Sequence, residues 1–276
     1  MTRSGSWLVW LVAVLAGIVT VPMLWVAENV ANEDGWVTFT AGFVEDEQLR
    51  NGVVDAAAEA MLARASLPPE ATRLFNQALQ DLVRTATTQP GFIEAWRESL
   101  RRTHRLNFDP DAHSTRLRAD IGPLATFVAH DVSEQLPVRL TVPDRVVVPI
   151  HDKPDERLIA VVASSPRWGK IGLVIVGIAL LASMGMAGGV AGALRRFGLA
   201  FVAVAGLMLV ATGVALPKLL AERTASSDFA RQMQDLLLAH TAHSLNNWAI
   251  TLGVVGVVAS VVGVVGGLAS RGVSHP

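Results

Sequence analysis

The chain has 276 residues, of which 51% are hydrophobic and 17% charged, and its mean hydropathy is +0.41; this is too apolar for an ordinary soluble domain and too charged for membrane spans alone. The formal charge of −1 hides an acidic stretch, positions 28–167, with 21 acidic and 15 basic residues and a net of −6, which leaves no basic field for nucleic acid. The absence of cysteine excludes disulfides, a lipoprotein anchor, thiolate metal sites and cysteine nucleophiles.

In chain order, the first uncharged apolar run is 7–27, flanked by Trp7 and Trp10 at one edge and Trp25 at the other, as suits the interfacial aromatic belt. It reads as an uncleaved anchor, because cleavage after Ala27 or Ala31 would put Trp25 or Asn29 where a small residue is required. Asn32 and Asp34 can cap a short helix through Trp36, Val37 and Phe39. From 46 to 65, Leu49, Val53, Ala57, Ala60 and Met61 recur at helical spacing, and Pro68 with Pro69 stops that helix and starts another over 69–87. A third helix, 92–105, turns Phe92, Trp96, Leu100 and Thr103 to one side. The period then changes: Thr115, Leu117, Ala119 and Ile121 alternate with charged residues and predict a half-buried strand. A helix from Pro123 to Leu136 follows, then strand-like runs at 138–142 and 145–150, a turn at 152–155 and a helix over 156–164.

Three more uncharged runs, 171–193 (a span drawn as 169–193), 197–216 and 248–268, each match a bilayer core of about 20 residues. Between the last two, in 217–247, Ser227 can cap an amphipathic helix on which Phe229, Met233, Leu236, Leu237 and His240 share a face. The loop 194–196 carries Arg195 and Arg196 and no acid, which by the positive-inside rule makes it cytoplasmic. Both termini, 1–6 and 269–276, then fall in the cytoplasm, and 28–168 and 217–247 outside it. The fold class is thus a multi-pass plasma-membrane protein: four transmembrane α-helices and a mostly helical α+β extracytoplasmic domain with a small sheet.

The segment Asn32-Glu33-Asp34-Gly35-Trp36-Val37, then Gly42-Phe43-Val44-Glu45-Asp46, and later Phe92-Ile93-Glu94-Ala95-Trp96 and Leu117-Arg118-Ala119-Asp120-Ile121-Gly122-Pro123, resembles a group of actinobacterial four-pass integral membrane proteins. Their order is one amino-terminal span, a large outer domain and three clustered spans. Gly42 and Glu47 stand where that group usually has proline. The resemblance implies the architecture, and it brings no site residues because the group carries no established activity.

Several residues are candidates for chemistry. His240 and His243 lie three apart on a predicted helix and could share a metal, although no third ligand is identifiable and a solvated pair explains them as well. Arg97, Arg101, Arg102 and Arg105 could hold an anionic headgroup or a phosphate-rich wall polymer, but Glu94 and Glu98 stand within pairing reach on the same helix. Phe229, Met233, Leu236 and Leu237 are the candidate lipid-facing set. Gly185 with Gly189, Gly188 with Gly192, and the series Gly253, Gly256 and Gly263 suit close helix packing in a bundle or a homo-oligomer. No predicted span holds an ionisable side chain, and no phosphate-binding loop, nucleophile elbow or cofactor fingerprint is present. The leading expectation is a non-enzymatic envelope protein without cofactor, whose outer domain binds another envelope protein, a lipid or a wall polymer. The alternatives are lipid handling by an apolar pocket at 229–237, and a zinc-dependent hydrolase built on His240 and His243.

Overall fold

A computed structural model describes residues 3–62, 85–109, 111, 115–135, 143–150, 155–186, 189–215, 218 and 227–272. The expected helix 69–87, except for its end, and the run 138–142 lie outside them, as does most of the turn at 152–155. In chain order the elements are α1 (Arg3–Val26), α2 (Glu33–Thr40), α3 (Glu47–Leu62), α4 (Pro90–Phe108), β1 (Arg118–Asp120), α5 (Gly122–Gln135), β2 (Val147–Pro149), α6 (Glu156–Gly185), α7 (Val190–Val210) and α8 (Asp228–Gly272). Single π-helical turns, Ala27–Ala31 and Ala211–Ala215, extend α1 and α7, and a 3-10 turn, Ala41–Glu45, follows α2. The chain divides into two compact units: one is Met1–Ala27, Ser164–Glu222 and Leu238–Pro276, the other Glu28–Ala163 and Arg223–Leu237.

The first unit is a helical bundle. Four helices, Trp7–Ala31, Glu156–Gly185, Val190–Val214 and Asp228–Ala269, are long and apolar enough to cross a membrane. Their interior is made of small and medium side chains, among them Ala13, Val14, Ala179, Ala200, Val204 and Ala249. Large aliphatics such as Leu15, Ile178, Leu181 and Val265 stay exposed. Such a distribution, small inside and large outside, is what a bilayer solvates and water does not. Polar cross-links join the helices where side chains allow: Trp10 Nε1 donates to Arg196 O at 3.0 Å, Trp25 Nε1 donates to Ser244 Oγ at 2.9 Å, and Thr212 Oγ1 donates to Asn246 Oδ1.

Three boundaries differ from the sequence expectation. The connection between the second and third apolar helices falls at 186–189 and not at 194–196, so Arg195 and Arg196 sit inside α7, in its second turn. Charge could not locate that break, because every residue from 185 to 194 is uncharged; the backbone decides it, with Gly189 at φ +137°, a conformation closed to residues bearing a Cβ. Arg196 Nη1 donates to Ser183 O at 3.4 Å, capping a carbonyl in the last turn of α6. Likewise, the helix predicted over 156–164 and the second span are one helix, α6, with Pro166 inside it. The amphipathic helix and fourth span are also one, the 45-residue α8. No glycine or proline stands between Ser227 and Trp248 to interrupt its ladder.

In the second unit, the first two helices start on side-chain caps. Asn32 Oδ1 accepts from Gly35 N, and Asp46 Oδ1 accepts from Leu49 N, both at 2.9 Å, opening α2 and α3. A core forms from Phe43, Leu49, Val53, Phe92, Trp96 and Leu100 with Ala119, Ile121 and Leu124. β1 and β2 pair antiparallel with Ala119 opposite Val148. On the outer side of β1, α4 acts in place of a third strand. Asn107 Nδ2 donates to Arg118 O at 2.6 Å, its Oδ1 accepts from Arg118 N at 3.0 Å, and Thr103 Oγ1 accepts from Asp120 N at 2.9 Å. On the edge of β1 away from β2, the N–H and C=O of Arg118 and the N–H of Asp120 are thereby satisfied.

Candidate functional site

The second unit carries most of the buried polar groups, and α4 organises them. Its 3.6-residue period buries Phe92, Trp96, Ser99, Leu100, Thr103, His104 and Asn107 and turns Arg97, Arg101 and Glu94 outward. Of the four candidate anion-binding arginines, three are paired along the helix. Arg97 lies 3.8 Å from Glu94, Arg101 lies 3.6 and 3.5 Å from Glu94 and Glu98, and Arg102 Nε donates to Glu98 at 3.2 Å. Arg102 Nη1 also donates to Asp144 O at 2.9 Å. Arg105 turns away from this group and donates through Nε and Nη2 to both Glu33 carboxylate oxygens, at 2.9 and 2.8 Å. The two-pronged geometry is the one guanidinium and carboxylate fit best. The hydrogen bond from Arg105 holds the Glu33 carboxyl below its ordinary range, and the carboxylate in turn raises Arg105.

Beside that ion pair, on the residue before Arg105, His104 Nε2 lies 3.0 Å from Val30 O, at the π-helical turn that follows α1. Burial is the main cause that pushes its pKa down; the Val30 carbonyl and the Glu33 charge act the other way. His104 is therefore held neutral as a donor to the main chain, and together with Arg105 it ties the backbone at 30–33 to α4.

Under the outer surface lies a small cavity of about 30 Å³, lined by Trp36, Trp96, Ser99, Thr103 and Asp120 among apolar neighbours that include Phe229, Met233 and Leu237. Trp36 Nε1, Trp96 Nε1 and Ser99 Oγ are buried without a hydrogen-bond partner among the described residues. Asp120 is buried as well: its Oδ1 accepts from Gly122 N at 2.9 Å and its Oδ2 lies 3.7 Å from Arg145. Two indole N–H groups and a hydroxyl at one cavity suit an acceptor of about the size of water, and the space is too small for an acyl chain. Sequence reasoning put Trp96 on the core face but missed Ser99 and Asp120. The available signal was the tryptophan itself, whose N–H seeks a partner wherever it is buried.

The candidate lipid-facing set lies in and against this core. Phe229 and Met233 are only 3% and 5% exposed and are closed into the second unit, and Leu236 and Leu237 pack against the same cluster. Gln234 Nε2 adds a hydrogen bond to Ile150 O at 3.2 Å. An amphipathic face looks the same whether a bilayer or a domain core covers it, so periodicity alone could not choose.

No family model matches the chain, and neither a curated protein nor a solved structure does. Function is therefore read from these residues. His240 and His243 both lie on α8, His243 Nε2 stands 3.2 Å from Asn247 Nδ2, and among the described residues no group of three His, Asp or Glu side chains is placed to hold a metal. The glycines separate into two classes. Gly185 ends α6 and Gly189 precedes α7, so both belong to the turn; Gly192 lies in the first turn of α7, and Gly188 is outside the described residues. On α8, Gly256 faces α7 at Gly198 and Phe201, Gly263 faces Ala191 and Arg195, and Gly253 stands opposite Ala205. The partner glycine on α7, Gly198, was not singled out from sequence.

Proposed function

We propose that this chain is a multi-pass plasma-membrane protein of the cell envelope, related to the actinobacterial four-pass group it resembles, whose second unit is a non-enzymatic binding module. The carrying observation is that this unit builds its own core, drawing in Phe229 and Met233 from a segment far along the chain. A body cored in that way presents a fixed surface to water, and α4 gives it an outward row of Glu94, Arg97, Glu98 and Arg101 whose charges are held in place by one another. In this reading the module lies outside the cytoplasm, the turn before α7 and both termini lie within it, and the ligand is another envelope protein, a lipid or a wall polymer.

Two measurements test the reading. Because the chain has no cysteine, single substitutions report topology with a membrane-impermeant maleimide. Glu94→Cys should label on intact cells, and Val190→Cys only after permeabilisation; the reverse pattern would invert the orientation. Crosslinking in native membranes followed by purification should then return a reproducible partner that is lost when Arg97 and Arg101 are both changed to Glu. A monodisperse protein with no such partner would remove the binding role.

A further inference from the structure

The bundle of the first unit contains a second and larger cavity, about 170 Å³, between α1, α6, α7 and α8. Its floor is buried and small: Ala13, Ala200, Val204 and Leu180 are at most 8% exposed. Its rim includes Leu173, which is 57% exposed on the outward face of α6. The space exists because the small side chains of Ala13 and Ala200 line it where larger ones would fill it.

We propose that this cavity takes up part of one acyl chain of a membrane phospholipid, which enters past Leu173. Three observations select that occupant. Every lining residue belongs to one of the four apolar helices, so the medium at the mouth of the cavity is hydrocarbon, an inference that rests on the membrane-spanning reading given above. The one polar side chain in the lining, Thr20, donates its hydroxyl to Ala16 O at 2.7 Å within its own helix and offers no donor to a polar ligand. The volume exceeds the ~150 Å³ at which an apolar cavity stays dry and accepts a small hydrocarbon. A bilayer supplies chains at a local concentration no soluble ligand reaches, so a dry, open-mouthed cavity of this size fills from the lipid.

The full chain, reconstituted in phosphatidylcholine vesicles containing a phosphatidylcholine with a mid-chain diazirine, tests this by photolabelling and peptide mapping. Adducts are expected at Leu180, Ala200 or Val204 as well as on outward residues such as Ile178 and Leu181. Ala200→Leu should lower floor labelling about tenfold while outward labelling is unchanged. Val176→Phe serves the same purpose if Ala200→Leu does not yield a monodisperse protein. Thr20→Val should leave floor labelling as it is, and its loss would overturn the apolar assignment. Outward labelling with a silent floor overturns the cavity proposal, as does floor labelling that the filling variants do not reduce. Absence of labelling on the outward faces would instead refute the membrane-spanning reading.

Discussion

Replacing Gly198 by Ala tests whether α7 and α8 are held by backbone approach. A Cβ built at Gly198 would stand 2.3 Å from Gly256 O and 2.6 Å from Ser260 N, where ordinary contact begins near 3.4 Å. Both obstacles are backbone atoms of α8, so no rotamer change relieves them, and the helices must part by about 1 Å. A gap of that size forfeits about a quarter to a half of the dispersion energy of each contact in the seam. Overpacking of this kind costs roughly 1–3 kcal/mol. For a chain of this size it lowers the midpoint of thermal unfolding by roughly 2–10 °C. Gly253→Ala is the control on the same seam: its Cβ would meet only Ala205 Cβ, at an ordinary 3.4 Å, and the change should be neutral within about 0.5 kcal/mol. The assay is thermal unfolding of the full chain in mild detergent, followed by light scattering and by monodispersity after heating. Equal shifts for the two variants, or a neutral Gly198→Ala, would refute the close-approach account.

Acid should weaken the second unit in two steps. His104 and Glu33 both have pKa values below their ordinary 6.5 and 4.5, so each contributes in full above that value and loses its contribution as pH falls through the folded pKa. Unfolding followed by tryptophan fluorescence should show stability falling from about pH 6.5 downward, with a shallower slope in His104→Gln; an unchanged slope would remove His104 as the cause. Asn107→Leu orphans the N–H and C=O of Arg118 and should cost about 2–4 kcal/mol in urea unfolding. Asn107→Asp keeps the acceptor for Arg118 N but sets a buried carboxylate oxygen against the carbonyls of Thr103 and Arg118, and should cost at least as much. Phe229→Ala should cost roughly 3–5 kcal/mol as a core truncation, whereas a lipid-facing phenylalanine would give almost no change.

Local signals in the sequence matched local structure closely. The cap at Asn32 and the buried face of α4 lie where spacing placed them, as do the alternation around β1 and the charge pairs among Glu94, Arg97, Glu98 and Arg101. Each depends only on residues a few positions apart, whose geometry the helix pitch or strand pleat dictates. The helix break at 186–189 was hidden, because glycine, alanine and methionine are all compatible with an apolar run and only backbone conformation distinguishes the turn.

What the sequence by itself determined, then, was the existence of four apolar helices and of a mostly helical, acidic, water-compatible unit with a small sheet. Charge and hydropathy are additive along a chain and can be read without a fold. Only the tertiary structure decided the partners: that Arg105 leaves its helix neighbours for Glu33, 72 positions away, that Asn107 and Thr103 serve as a strand edge, that Gly198 meets Gly256, and that Phe229 and Met233 belong to a domain core. Those choices depend on which surfaces come within contact distance, and dispersion and hydrogen bonding act only over that range.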